Sequence, residues 1–325
     1  MRILFTGTAT AVGLALAAAT AQAQTSWDMP TPYPDATFHT QNVIQFAEDV
    51  TEMSGGDLEI TVHSAGSLFK HPEIKRAVQT GQVQIGEMLI SLLSNDDPVF
   101  AVDTIPFLAD SYEDAEALWE ASRRAVEERL AEDGLTLLYA VPWPAQGLYV
   151  NQEVDDVSDM AGVPFRAYNA TTSRLAELMG AVPTQVEVPE IPQAFSTGIV
   201  EAMITSPSTG ANSAAWDYVS HFYDTQAWLP KNMVMVNTEA FEGLSEETRQ
   251  AVLDAAAAAE TRGWQMSMEE AEAKKQELAD NGMVVADPSE QLTTDLAEIG
   301  ATMTKEWIDE AGEDGQAILD AYQPQ

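Results

Sequence analysis

From residue 246 to residue 281 the chain has almost no helix breaker, Gly263 excepted, and is rich in alanine and glutamate. Both are strong helix formers, so the stretch predicts one or two long helices. At 1.5 Å rise per residue, roughly 35 residues span about 50 Å. An ordinary surface helix is one reading; a rod bracing two lobes is the other. The elements before it are short. Residues 27–38, rich in proline and aromatics, read as a strand ending in a loop. Val43, Phe46, Ala47 and Val50 mark a helix over 40–53, stopped by Gly55-Gly56. Strands are expected at 58–62, 83–88, 135–141, 146–151, 163–167 and 201–205. Helices are expected at 72–79, 113–133, 171–179 and 190–197, with a turn and short helix at 155–160. This alternation predicts an α/β chain with mainly parallel sheets.

The N-terminus reads differently. Met1-Arg2 is a short basic start, residues 3–20 are mostly apolar or small, and Ala21-Gln22-Ala23 has the small-x-small form cut by signal peptidase. Thr6, Gly7, Thr8 and Thr10 interrupt the apolar run and no stop-transfer pattern follows. Residues 1–23 therefore predict a signal peptide cleaved after Ala23, with a buried N-terminal helix as the alternative. The mature chain is expected to be exported, soluble and periplasmic. Its lack of cysteine excludes thiol catalysis, cysteine-ligated metal and thiol redox roles. About 300 mature residues exceed the usual single core, so two lobes are expected.

The chain carries Lys+Arg 15 against Asp+Glu 52, a formal net charge of -37. Such acidity argues against nucleic acid as a partner. The carboxylates are spread along the chain and not gathered in a tail, which fits a solvated surface suited to high salt. Calcium or a basic partner are the other readings.

Against that charge, a cation set among apolar residues asks for a reason. Val163-Pro164-Phe165-Arg166-Ala167-Tyr168-Asn169 holds one. A guanidinium offers a planar fork of donors that grips a carboxylate at two points. Arg166 is thus read as the anchor of a binding cleft for a small organic acid, or as a structural ion pair with a buried acid. Tyr168 and Asn169, on the same loop, complete the anion's shell or serve the turn. Tyr33, Phe38, Trp143, Tyr149 and Trp228 are either faces for an apolar or cationic ligand or core. Trp143, between Pro142 and Pro144, is the strongest of them, because cleft residues gather in strand-end loops.

Several segments share an order and spacing with a known family. Residues 55–68 match "GG-x-L-x-I-x-V-x-P-x-G-x-L", with Ser64 where proline is common. Glu73 with Ala77-Val78-Gln79-Thr80-Gly81 matches "E-x-x-x-A-V-Q-x-G", and Ile105-Pro106-Phe107-Leu108 matches "lPFL". Met160-Ala161-Gly162-Val163-Pro164-Phe165-Arg166 matches "l-x-G-l-x-I-R", and residues 190–201 match "E-v-y-x-A-L-x-x-G-v-v-D". Over nearly all of the mature chain, these segments resemble the periplasmic solute-binding proteins of tripartite ATP-independent (TRAP) transporters, the DctP family.

The resemblance implies a two-lobed periplasmic binding protein fold with a long helix spanning both lobes. One lobe is expected from 24–148 plus roughly 232–262, the other from 149–231 plus roughly 263–325. A ligand sits between them, the lobes close on it, and a membrane permease takes the closed form for ion-driven uptake. The chain is expected to be a monomer with no cofactor, no metal and no catalysis. The resemblance makes Arg166 the partner of a ligand carboxylate. By the same analogy Glu87 ends a strand pointing into the cleft, where it suits a ligand with an amine or several hydroxyls, or pairs with Arg166 or a lysine when the cleft is empty. Where many relatives read "D-G-q-E-N-P", this chain has Glu201-Ala202-Met203-Ile204-Thr205-Ser206-Pro207, so Thr205 and Ser206 are expected to present hydroxyls there. A small carboxylate leads as ligand, with a small amine or zwitterion second.

Other classes find little machinery. Ser67 and Lys70 have the S-x-x-K spacing of serine acyl-enzymes, but Lys-Thr-Gly is absent and Ser94-Asn95-Asp96 scrambles Ser-Asp-Asn. His39, His63, His71 and His221 form no close metal pair, and residues 155–162 lack EF-hand spacing. A secreted hydrolase without a visible motif is the alternative; turnover of generic esters or glycosides would support it. A calcium-dependent module predicts a melting point sensitive to chelator.

Overall fold

A computed structural model of the chain describes residues 24–323. The expected signal peptide lies outside the described residues. The chain begins with β1 (Thr25–Pro30), α1 (Phe38–Met53), β2 (Leu58–His63), α2 (Ile74–Gln79), β3 (Ile85–Leu89), α3 (Tyr112–Glu132) and β4 (Leu135–Pro142). It continues through β5 (Gly147–Val150), β6 (Pro164–Ala167), α4 (Ala170–Leu178), β7 (Val182–Gln185), α5 (Ile191–Ser196), β8 (Ala202–Thr205), α6 (Pro207–Asn212) and β9 (His221–Tyr223). It closes with β10 (Lys231–Asn237), α7 (Thr238–Glu242), α8 (Glu246–Asp280), β11 (Val284–Ala286) and α9 (Glu290–Ala321).

Two sheet systems result, each the base of one lobe. The first has β1-β2 beside β3-β10-β4; the second runs β11-β9-β5-β8-β6-β7. The sheets are mixed, not mainly parallel as expected. Every antiparallel pairing among the described residues involves β5 or β10. These are the strands that enter a sheet straight from the other lobe, through residues 143–146 and 224–230, with no crossover helix to impose parallel pairing. The crossing segments also bond to each other. Trp143 N donates to Pro230 O at 2.8 Å, Gln146 N to Trp228 O at 3.0 Å, and Ala227 N to Gln146 O at 3.0 Å. Together they form a two-stranded hinge.

Strands buried on both faces sort their side chains by period two. Val234 and Val236 of β10 enter one apolar cluster while Met233 and Met235 enter another. Leu148 and Val150 of β5 likewise part from Tyr149. Helix α8 is a single 35-residue rod. Ser245 caps it by accepting from Thr248 N at 3.0 Å, with Glu246 and Glu247 in the first turn. Its inner face is small: Ala251, Ala255, Ala259, Gly263 and Ser267 recur every fourth residue and are buried. That stripe lets the rod lie close against α1, β4 and α6.

The sequence reading left α9 unassigned. Near its start Asp295 accepts from Val157 N at 3.2 Å, and Arg174 of α4 pairs with Glu306. Beyond that, Trp307 donates to Pro98 O at 2.6 Å and Tyr322 to Leu108 O at 2.8 Å. Helix α9 therefore touches elements of both sheet systems.

Candidate functional site

Arg166 sits near the C-terminal end of β6, opposite Met203 of β8 and Thr184 of β7. Ligands in α/β proteins bind at such strand ends. The side chain is 1% exposed. Its Nε donates to Val186 O at 2.9 Å, and its guanidinium lies over the Tyr168 ring at 5.0 Å. Its two terminal amino groups have no hydrogen-bond partner among the described residues. Burial lowers its pKa, an effect opposed by Tyr168 and Glu187. A buried cation with two open donors is costly unless something else completes it.

Those donors face a small cavity between the sheet systems. Tyr33, His71, Leu89 and Trp143 wall it from one lobe, and Tyr168, Glu187, Val188, Thr205, Ser206 and Thr209 from the other. Gln146 and Pro230 of the hinge close it. The cavity is small. The aromatic wall is rigid: Tyr33 and Trp143 meet edge to face at 5.0 Å, and both donate to Asn232 Oδ1, at 3.2 and 2.9 Å. The Thr205 hydroxyl has no protein partner among the described residues, whereas Ser206 caps α6 by accepting from Thr209 N at 3.0 Å.

The cavity thus brings together Arg166, Tyr168, Trp143, Tyr33, Thr205 and Ser206 of the expected contacts. The others stand behind this wall instead of in it. Glu87 is buried below Asn232, accepting from its Nδ2 at 3.1 Å and from the Thr31 hydroxyl. It pairs with neither Arg166 nor a lysine; its nearest cation-capable neighbour is His39 Nδ1 at 3.6 Å. Phe38 backs Trp143 at 5.5 Å between ring centres. Trp228 donates to the Tyr168 hydroxyl at 3.1 Å. Tyr149 is core, donating to Ser206 O at 3.1 Å and packed on Gly210, where no Cβ fits. Asn169 caps α4 and donates to Ser91 Oγ at 2.8 Å, a contact from one lobe to the other.

His71, Gln146, Glu187 and Thr209 were missed. Gln146 lies two residues past the Pro142-Trp143-Pro144 segment, so the strand-end signal pointed at its neighbourhood. Glu187 and His71 carried no local signal in a chain so rich in acids. Among the described residues no group of three or more His, Cys, Asp or Glu is arranged to hold a metal. No helix among them is long and apolar enough to cross a membrane.

Two α/β lobes, tied by a two-stranded hinge and a long helix around a small cavity that the Arg166 fork faces, define a periplasmic-type solute-binding protein. The profile of the bacterial extracellular solute-binding proteins, family 7 (DctP), matches residues 31–310, and the chain belongs to that family, the solute receptors of TRAP transporters. Among solved structures it is similar to DctP7, a Bordetella pertussis extracytoplasmic solute receptor binding pyroglutamic acid, with TM-score 0.91 and 51% identity over 92% of this chain and 99% of that one. DctP6 of the same organism, also binding pyroglutamic acid, gives 0.91 and 46% over the same shares. A marine-metagenome TRAP protein specific for pyroglutamate gives 0.90 and 44%, over 92% and 98%.

Proposed function

We propose that this chain is the extracytoplasmic receptor of a TRAP uptake system whose guest is a small carboxylate, pyroglutamate or a close relative. The observation that carries the reading is the buried Arg166 fork, its two terminal groups facing a small cavity between the sheet systems. A carboxylate completes both with charge-assisted bonds to a guanidinium that is itself buried. The small cavity and its Tyr33–Trp143 wall fit a compact ring, and receptors 44–51% identical bind pyroglutamate. Glu87, the acid that motivated an amine ligand, stands outside the wall. The role involves capture and hand-over to membrane permease subunits, with no bond made or broken. Export after removal of residues 1–23 and a monomeric state complete the proposal. The lobe extents are proposed as 24–148 with roughly 232–262, and 149–231 with the remainder, α9 lying on both.

Titration calorimetry tests this. Pyroglutamate is expected to bind the purified protein, raising its stability by about 2.7 kcal/mol at a hundredfold excess over Kd. Arg166→Lys keeps the charge but loses the fork, so affinity is expected to fall at least about 100-fold. Unchanged affinity in that variant, with its fold verified by circular dichroism, would sink the assignment of Arg166.

A further inference from the structure

Glu187 faces the same cavity as Arg166 from the segment joining β7 to α5, and the two charges do not pair directly. Its nearest cation-capable neighbour is His71, whose Nδ1 lies 3.5 Å from Oε2. The tautomer of His71 follows from its other nitrogen. Leu89 N donates to Nε2 at 3.1 Å, so Nε2 is bare and the ring hydrogen sits on Nδ1, directed at Glu187. At 3.5 Å that contact is at the outer limit of a hydrogen bond. The remaining oxygen of Glu187 has no side-chain partner among the described residues, and Leu89, Val188 and Pro230 in the same wall offer no side-chain donor. Burial pushes the Glu187 carboxyl up, but His71 and Arg166 outweigh that and hold it below its ordinary range. The cavity therefore presents a cationic fork and a separate acceptor with unused lone pairs.

We propose that Glu187, positioned by His71, is the specificity-determining acceptor of this cavity, selecting carboxylates with a ring N–H over isosteres carrying a ring oxygen. This rests on the reading that the guest is a compact cyclic carboxylate. A lactam N–H fills the unused acceptor, while a lactone oxygen sets its lone pairs against a carboxylate. The mismatch sets two acceptors against each other at a half-buried carboxylate, a repulsive element that discriminates more strongly than a lost apolar contact.

The test uses pyroglutamate and its lactone isostere, 5-oxotetrahydrofuran-2-carboxylate, titrated calorimetrically into the wild-type protein and into Glu187→Gln. The wild type is expected to prefer the lactam by at least about 100-fold. In Glu187→Gln the amide offers either its oxygen or its NH2, so the preference is expected to shrink to within about tenfold. The wild-type comparison needs no variant to fold. Lactam and lactone binding the wild type equally would overturn the role of Glu187 and leave the carboxylate reading standing. An unchanged preference in a folded Glu187→Gln would overturn it as well. Failure of both compounds to bind would remove the pyroglutamate reading and this assignment with it.

Discussion

Burial behind the Tyr33–Trp143 wall pushes the Glu87 carboxyl up to about 7, against opposing hydrogen bonds from Thr31 and Asn232. The sign of the consequence is unusual for an acid. Below the ordinary 4.5 both folded and unfolded chains hold the proton, and stability is unaffected. Between 4.5 and about 7 the folded chain keeps a proton the unfolded chain has released, so stability falls as pH rises. The full loss, on the order of 3 kcal/mol, is reached above about 7. Glu87→Gln mimics the protonated form and keeps the oxygen facing Asn232. It is expected to match the wild type near pH 4.5 and exceed it by up to about 3 kcal/mol at pH 8, with ligand ranking unchanged. Urea denaturation across that range checks it; parallel pH profiles for the two proteins would refute it. Arg166 was legible because a cation among apolar neighbours is rare in this chain. Glu87 also stood out, but position along a strand does not tell which layer a side chain ends in. Glu187 was illegible because one more acid in an acidic loop carries no mark until folding sets it opposite Arg166.

Gly263 shows an element overriding local propensity. In an exposed helix, Gly→Ala is stabilising by about 1 kcal/mol. Here a Cβ would meet Asn42 Nδ2 at 2.7 Å and a Val141 methyl group closer still. Asn42 is pinned, donating to Ala259 O at 2.9 Å and accepting from Arg262 Nε at 2.8 Å. Neither neighbour can yield without disturbing α1 or β4, beside the hinge. Gly263→Ala is therefore expected to destabilise the protein by about 1–3 kcal/mol despite the gain in propensity. A thermal melt no lower than wild type would contradict this. The same helix was readable because its residues are good formers from end to end. Strand β10 was not: KNMVMVN is covered on both faces and opens with Lys231 and Asn232, so alternation is absent. Helix α9 was obscured by glycines, and the backbone does kink at Gly312, where φ is 58°.

At the scale of the whole molecule, contacts join the lobes directly around the cavity. Asn169 to Ser91 at 2.8 Å, Thr104 to Thr171 at 3.2 Å and His71 to Glu187 at 3.5 Å all cross between them. The guest's final contacts are thus short-ranged and centred on the buried Arg166, while its approach crosses the field of a chain with net charge -37. These two regimes respond differently to salt. Exposed charges are screened beyond about 10 Å at 0.1 M, whereas a buried pair is screened far less. An anionic guest is repelled on approach, so added salt is expected to speed its association, the reverse of ordinary electrostatic steering. Escape depends on the Arg166 fork and the lobe contacts, and is expected to change little. Between about 10 mM and 500 mM sodium chloride, kon is expected to rise several-fold at nearly constant koff. Stopped-flow fluorescence, following the tryptophan signal with Trp143 in the cavity wall, separates the two rates. A kon that falls with salt would mean that the local field around Arg166 dominates the approach, and that the surface acidity plays no part in how fast the guest arrives.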